Sequence, residues 1–310
     1  MAKKPRDVRR SDRIFATSLK VISVGGAGIL CLIAIFLWRL AGPAFAKFGL
    51  GFAFTSVWDP VQNTYGALPV IFGTLVSSLV AILIATPLSV GVALFLVELA
   101  PEGLATIVGF LVQMLAAIPS VVYGLWGIFV LAPWLRTTIE PMLAKHFGFL
   151  PFFQGAPYGV GMLAAGLILS IMITPTISSI AREVFKAVPT TQKESALALG
   201  ATRWEMIRIA VLKSSRTGIF GAVILGLGRA LGETMAVTML IGNRAEIAAS
   251  LFAPGQTMAS VIANEYAEAS SDMHLSALAA IGFVLFVVTF ALNSLAQVFI
   301  WRVTRSKVTP

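Results

Sequence analysis

At 310 residues, with 57% hydrophobic and only 12% charged, the chain is too apolar for a soluble domain and reads as an integral membrane protein. Its formal charge of +9 does not point to nucleic acid, because seven of the 23 Lys and Arg fall in residues 3–20, seven in 182–216 and three in 302–307. A nucleic-acid protein gathers its charge on one face of a folded domain, whereas short basic clusters between apolar runs follow the positive-inside rule.

Residues 1–20 are a basic tail, expected on the cytoplasmic side. Residues 21–42 are expected to form the first transmembrane helix. Ala44-Phe45-Ala46 imitates a signal-peptidase site and Arg9-Arg10 a twin-arginine signal. The apolar run 21–41, interrupted only by Arg39, is nevertheless longer than a signal core of about 7–15 residues, so the span is read as uncleaved. The one cysteine, Cys31, lies in this run and excludes an intrachain disulfide framework or a CxxC metal site.

Residues 66–97 and 103–135 carry no charge and no histidine. As single helices each approaches about 50 Å, against a hydrocarbon core of about 30 Å, so they must tilt, kink or carry apolar flanks. Pro87 and Pro119 are the kink points. Glu98 and Glu102 lie in the tight inner turn between them, which has no Lys or Arg. Residues 147–181 are also uncharged. Pro151 and Pro157 place the first part in an outer loop, so the fourth span begins near Gly159. It ends through Thr174, Pro175, Thr176, Ser178 and Ser179, where hydroxyls can satisfy carbonyls freed by the proline. Residues 217–243 and 275–301 are the fifth and sixth spans. The fold class is an all-α polytopic helical bundle, residues 66–303 forming a five-span core. Six crossings put both termini and the 182–216 loop on one side.

That loop is the one long polar interruption. Thr191-x-x-Glu194 and Thr202-x-x-Glu205 both have the capping-box form. The first helix is expected to run to about Leu199 and close on Gly200, which can adopt the left-handed conformation. The second carries Trp204, Ile207 and Val211 on one face. Pattern alone also fits a plain loop on the membrane surface.

The fifth span holds GLGRALGETMAVTMLIGN over residues 226–243. Arg229 and Glu233 are its only charges inside the apolar run, four apart and therefore on one helix face. Arg229 falls near mid-bilayer, where charge costs about 2.5–3.5 kcal/mol on insertion scales. The two readings are a self-neutralising pair that tethers helices and a polar step in a translocation path. Thr234, Thr238 and the hydroxyls around Pro175 line such a path or pack plainly. Gly228-x-x-x-Gly232 permits close helix approach.

The remaining polar residues are less informative. His146 and His274 are isolated in outer segments, so neither a zinc site nor a catalytic constellation is supported. Outer acids Glu246, Glu265, Glu268 and Asp272 read as solvated surface or as contacts for a binding protein. Trp58, Tyr65 and Trp301 read as an interfacial aromatic belt. No cofactor is expected, and the absence of G-x-x-x-x-G-K-[ST] means the chain does not hydrolyse ATP by a P-loop.

Glu194-Ser195-Ala196 followed by Gly200 resembles the EAA-x-x-x-G signature of permease subunits of bacterial ATP-binding-cassette importers. Leu212 matches the later part of that signature, whereas Ala210 and Lys213 depart from it. The run GRALGETMAV (228–237), with YGAL (65–68), FLVELAP (95–101), LAAIPS (115–120) and ANEYAE (263–268), resembles the phosphate-importer permeases of the PstC type. The likeness covers about residues 45–135 and 157–303. It implies a type I importer permease fold in a bacterial inner membrane. The implied partners are a second homologous permease, two ATPase subunits and an extracytoplasmic phosphate-binding protein. It also implies ATPase coupling through Thr191, Glu194, Ser195, Ala196, Gly200 and Leu212, and a phosphate path by Arg229, Glu233 and Thr234. Another oxyanion (sulfate or molybdate), or a secondary transporter, is the alternative.

Overall fold

The computed structural model describes residues 5–305, with side chains from Asp12 to Trp301. Among the described residues, six helices are long and apolar enough to cross a membrane: Asp12–Ala53, Leu68–Leu99, Ser120–Phe147, Met162–Lys186, Arg203–Gly232 and Asp272–Trp301. They are numbered here as the first to sixth spans. Shorter helices are Glu102–Ala117, Thr190–Ala198, Met235–Leu240 and Met258–Glu265. A two-stranded antiparallel hairpin, Trp58–Asp59 with Thr64–Tyr65, lies between the first two spans.

The fourth span is the axis of the bundle: 72% of its most apolar stretch is buried inside the protein, against none of the first span's. It packs most closely on the second and fifth spans. Small residues permit this. Gly166 stands so near the second span that a Cβ there would come within 2.5 Å of Val80 Cγ1. Ala81, Ala85, Ala165, Leu169 and Ile173 close the same layer with Ala222 and Ala230 of the fifth span. Pro175 sits inside this helix without breaking it. Nearby hydroxyls turn inward: Thr174 donates to the Ser170 carbonyl at 2.7 Å and Ser179 to the Thr176 carbonyl at 3.0 Å. Pro87 is likewise accommodated within a continuous second span.

The third crossing differs from a single kinked helix over 103–135. It is two helices, Glu102–Ala117 and the span Ser120–Phe147, separated by extended backbone at Ile118 and Pro119. The proline removes the N–H that would continue the ladder and pushes Ile118 out of the helical region. Both pieces pack on the fourth span, Gly109 lying against the Arg182 side chain and Tyr123, Leu131 and Leu135 sharing a buried cluster with Ala164, Ile168 and Met172. The crossing therefore reaches Phe147, twelve residues beyond the expected end. The first helix is likewise longer than residues 21–42, running Pro5–Phe48.

The fifth span ends earlier than residue 243. Its helix stops at Gly232, Glu233 is extended (φ −70°, ψ 129°), and Met235–Leu240 resumes as a separate helix.

At the end of the bundle opposite the 187–202 loop, a polar and aromatic knot replaces the isolated residues read from the sequence. Glu265 accepts hydrogen bonds from Trp58 Nε1 at 2.9 Å and pairs with His274 Nε2 at 2.8 Å. Tyr65, 1% exposed, stacks on His274 at 5.5 Å between ring centres. It is a core residue and not part of a surface belt, and its burial pushes the phenol above its ordinary value. His274 and Glu265 are thus structural partners.

Candidate coupling loop and translocation face

The loop grows out of an apolar footing. Ala93 of the second span, Ala181 and Phe185 of the fourth, and Met206, Ile207, Ala210 and Val211 of the fifth form one buried cluster, with Ala196 and Leu212 packed against it. Above that footing, Thr190–Ala198 is a nine-residue helix. Its start is not a capping box at Thr191. Pro189, with ψ 134°, is the residue before the helix and makes no side-chain cap. Thr191 is therefore already helical, where its hydroxyl cannot reach the orphan N–H groups.

The close of the helix is as expected. Gly200 has φ +86°. The Gly200 N–H donates to the Leu197 carbonyl at 2.9 Å and Ala201 N–H to the Ala196 carbonyl at 3.2 Å, a Schellman closure. Thr202 then caps the next helix: its hydroxyl accepts from Glu205 N–H, while Glu205 Oε2 accepts from Thr202 N–H at 2.8 Å. That helix is not a separate amphipathic piece; Arg203–Gly232 is continuous with the fifth span. A wider π-helical turn follows at Ile207–Leu212; Ile207 and Val211 are buried in the footing, while Trp204, in the first turn of the helix and outside that cluster, is 63% exposed.

The loop surface shows Leu199, 90% exposed, and Trp204, with Thr191, Glu194 and Ser195 also open. Large apolar side chains on a polar loop are characteristic of a protein-contact surface. Lys193 and Ala196 are the half-buried residues of the helix. Lys193 Nζ pairs with Glu98 Oε1 of the second span at 2.6 Å. Sequence reading missed this pair, although an acid in a turn lacking any basic residue was its visible half.

The break in the fifth span places the charged residues of GRALGETMAV differently from a continuous helix. Arg229 is in the last turn before the break and Glu233 at the extended residue after it. Stacking at i, i+4 needs unbroken helix, so the two do not pair. Among the described residues the Lys and Arg ion pairs are Lys186–Glu183, Lys193–Glu98 and Arg244–Glu246. Arg229 is instead exposed, its Nη1 3.4 Å from the Thr176 hydroxyl of the fourth span. Glu233 and Thr234 are half-buried, and Thr234 Oγ1 donates to the Gly232 carbonyl at 3.3 Å. Thr238 has a buried hydroxyl without a partner. Irregular backbone at membrane depth survives where it is buried in protein or faces water. A broken helix with an unpaired guanidinium on an open face is chemically suited to meet an anion.

The family model described as "Binding-protein-dependent transport system inner membrane component" matches residues 71–305. The phosphate transport system permease protein PstC of Mesorhizobium japonicum is 45% identical over 297 residues, spanning 94% of this chain and 91% of that one. The PstC of Xylella fastidiosa (strain 9a5c) is 46% identical over 308 residues, with 97% and 95% covered. The PstC of Pasteurella multocida is 47% identical over 268 residues, with 85% and 83% covered. Among solved structures, a bacterial alginate ABC transporter in complex with an alginate pentasaccharide-bound periplasmic protein superposes with TM-score 0.62. At 18% identity, over 96% of this chain and 97% of that one, it shows the fold, which is that of a type I importer permease. With the family model and these relatives in agreement, the chain belongs to the family of inner-membrane components of binding-protein-dependent transport systems.

Proposed function

We propose that the chain is the permease subunit of an ATP-driven importer of inorganic phosphate. It forms the path with a second, homologous permease and receives phosphate from an extracytoplasmic binding protein. A pair of ATP-binding-cassette ATPases sits on the 190–214 loop and supplies the drive. The basic clusters at the N-terminus and in the loop support a cytoplasmic location for both termini.

The observation that carries the reading is the open face at the broken fifth span, where Arg229 lies against the Thr176 hydroxyl and has no ion-pair partner among the described residues. A guanidinium in low dielectric matches the edge of a phosphate, while a single cation avoids trapping it. Glu233 keeps the anion's stay short. As a carboxylate it also accepts a hydrogen bond from a protonated phosphate oxygen, which sulfate at neutral pH lacks. Closure of the ATPases on the loop pulls on its Gly200 elbow and rocks the fourth and fifth spans, which flank it in the chain. The names of the relatives support phosphate over another oxyanion.

The test is labelled-phosphate uptake by the purified complex in proteoliposomes, with sulfate and molybdate as competitors. ATP-dependent uptake that neither competitor reduces is the expected result. Competition by molybdate or sulfate at equal concentration would overturn the substrate.

A further inference from the structure

The fourth and fifth spans are joined covalently to the 187–202 loop, but the second span is not: Glu98 and Lys193 are 95 residues apart. The backbone of the Thr190–Ala198 helix packs mainly against residues 203–212. It reaches the second span through a side chain. Lys193 and Ala196, three residues apart and so on one helical face, are the two that turn inward. Ala196 joins Val97 at the margin of the buried footing, and the Lys193 ammonium meets Glu98 at 2.6 Å. The pair is shielded, the Glu98 side chain being 8% exposed and that of Lys193 19%.

Shielding makes the contact directional and hard to replace. Removing either partner leaves a charge that water reaches poorly, whereas an exposed ion pair contributes little. Glu98 also sits in the wider π-helical turn Phe95–Leu99 that ends the second span, next to the extended Ala100 and Pro101. It is therefore at the point where the second span hands over to Glu102–Ala117 and the third crossing.

We propose that the Lys193–Glu98 ion pair is a positioning strut that carries movement of the coupling helix to the second span. The idea rests on the loop being the ATPase-contact element proposed above. Displacement of the loop then moves the second, fourth and fifth spans together, where chain connectivity alone would move only the last two.

The test uses the assembled complex with Cys31→Ser as background and spin labels at Ala198→Cys and Glu102→Cys. With the strut intact, the distance between the labels is the same in the resting state and in the vanadate-trapped state. With Glu98→Gln, trapping changes it. Alongside, phosphate imported per ATP hydrolysed falls about tenfold in Glu98→Gln and in Lys193→Met, an ordinary size for coupling between sites. The reversed pair Glu98→Lys with Lys193→Glu restores the ratio. An unchanged label distance and an unchanged ratio in Glu98→Gln would overturn the strut. If the single variants do not assemble, the reversed pair decides: a restored ratio supports the strut and a tenfold-reduced one rejects it. Failure of the underlying reading looks different. In that case the unsubstituted complex itself shows no ATP-driven phosphate uptake, while the label distances still report on the strut.

Discussion

Replacing Gly200 with valine isolates the elbow of the loop from everything else in the fold. Gly200 has φ +86°, and a Cβ added there would have nothing within 4 Å. The substitution therefore causes no clash and leaves the spans untouched; its whole effect is conformational. Left-handed backbone costs a residue with a Cβ about 1–2 kcal/mol, and a β-branched residue belongs at the upper end. Since each 1.4 kcal/mol is about tenfold in a population, the Schellman closure that sets the angle between the two loop helices becomes roughly 10- to 30-fold less favourable. We expect Gly200→Val to reach normal membrane abundance yet import labelled phosphate about tenfold more slowly. Gly200→Asn, which tolerates the same conformation, stays within about twofold. The assay is uptake normalised to membrane abundance, with ATPase co-purification measured on the same samples. Wild-type uptake by a fully abundant Gly200→Val protein would refute the role of the elbow.

Trp204→Ser removes the largest exposed apolar group of the loop and is expected to weaken ATPase co-purification without lowering permease abundance; intact co-purification would remove Trp204 from the contact surface. Gly73→Leu is a packing test. A Cβ there would come within 2.2 Å of the Gln256 carbonyl oxygen, which is backbone, so membrane abundance should fall severalfold; normal abundance would show that the 256–258 segment can shift. Glu233→Gln is expected to slow uptake and to narrow the preference for phosphate over sulfate, read by competition; unchanged uptake and preference would remove Glu233 from the path.

Periodicity and charge made the crossings legible because each apolar run is longer than the bilayer is thick, a property no register error can disguise. Gly200 was legible for a local reason as well: closing a helix on a left-handed residue leaves glycine in the sequence. Thr191 shows the limit of such local signals, since the extended backbone at Pro189 starts the helix at Thr190 and leaves Thr191 inside it. Trp204 shows another, because a shared helix face does not say where the apolar footing ends, and the buried cluster begins at Met206 and leaves Trp204 outside it. The separation of Arg229 from Glu233 was equally hidden. A spacing of four reads as a helical pair until the helix breaks at Gly232, and the motif GRALGETMAV holds no proline to announce it. Glu98 with Lys193, and Glu265 with Trp58 and His274, were hidden for a different reason: their partners are brought together only by the bundle.

The central claim is that Arg229, open at the break in the fifth span, meets the anion as it crosses. It is tested most directly by labelled-phosphate uptake in cells carrying Arg229→Gln, with membrane abundance and ATPase co-purification measured in parallel. The account predicts an intact complex that has lost uptake by at least about tenfold, as removal of a charge-assisted contact of about 1.5–3 kcal/mol requires. Uptake at the wild-type rate by an intact Arg229→Gln complex would contradict it.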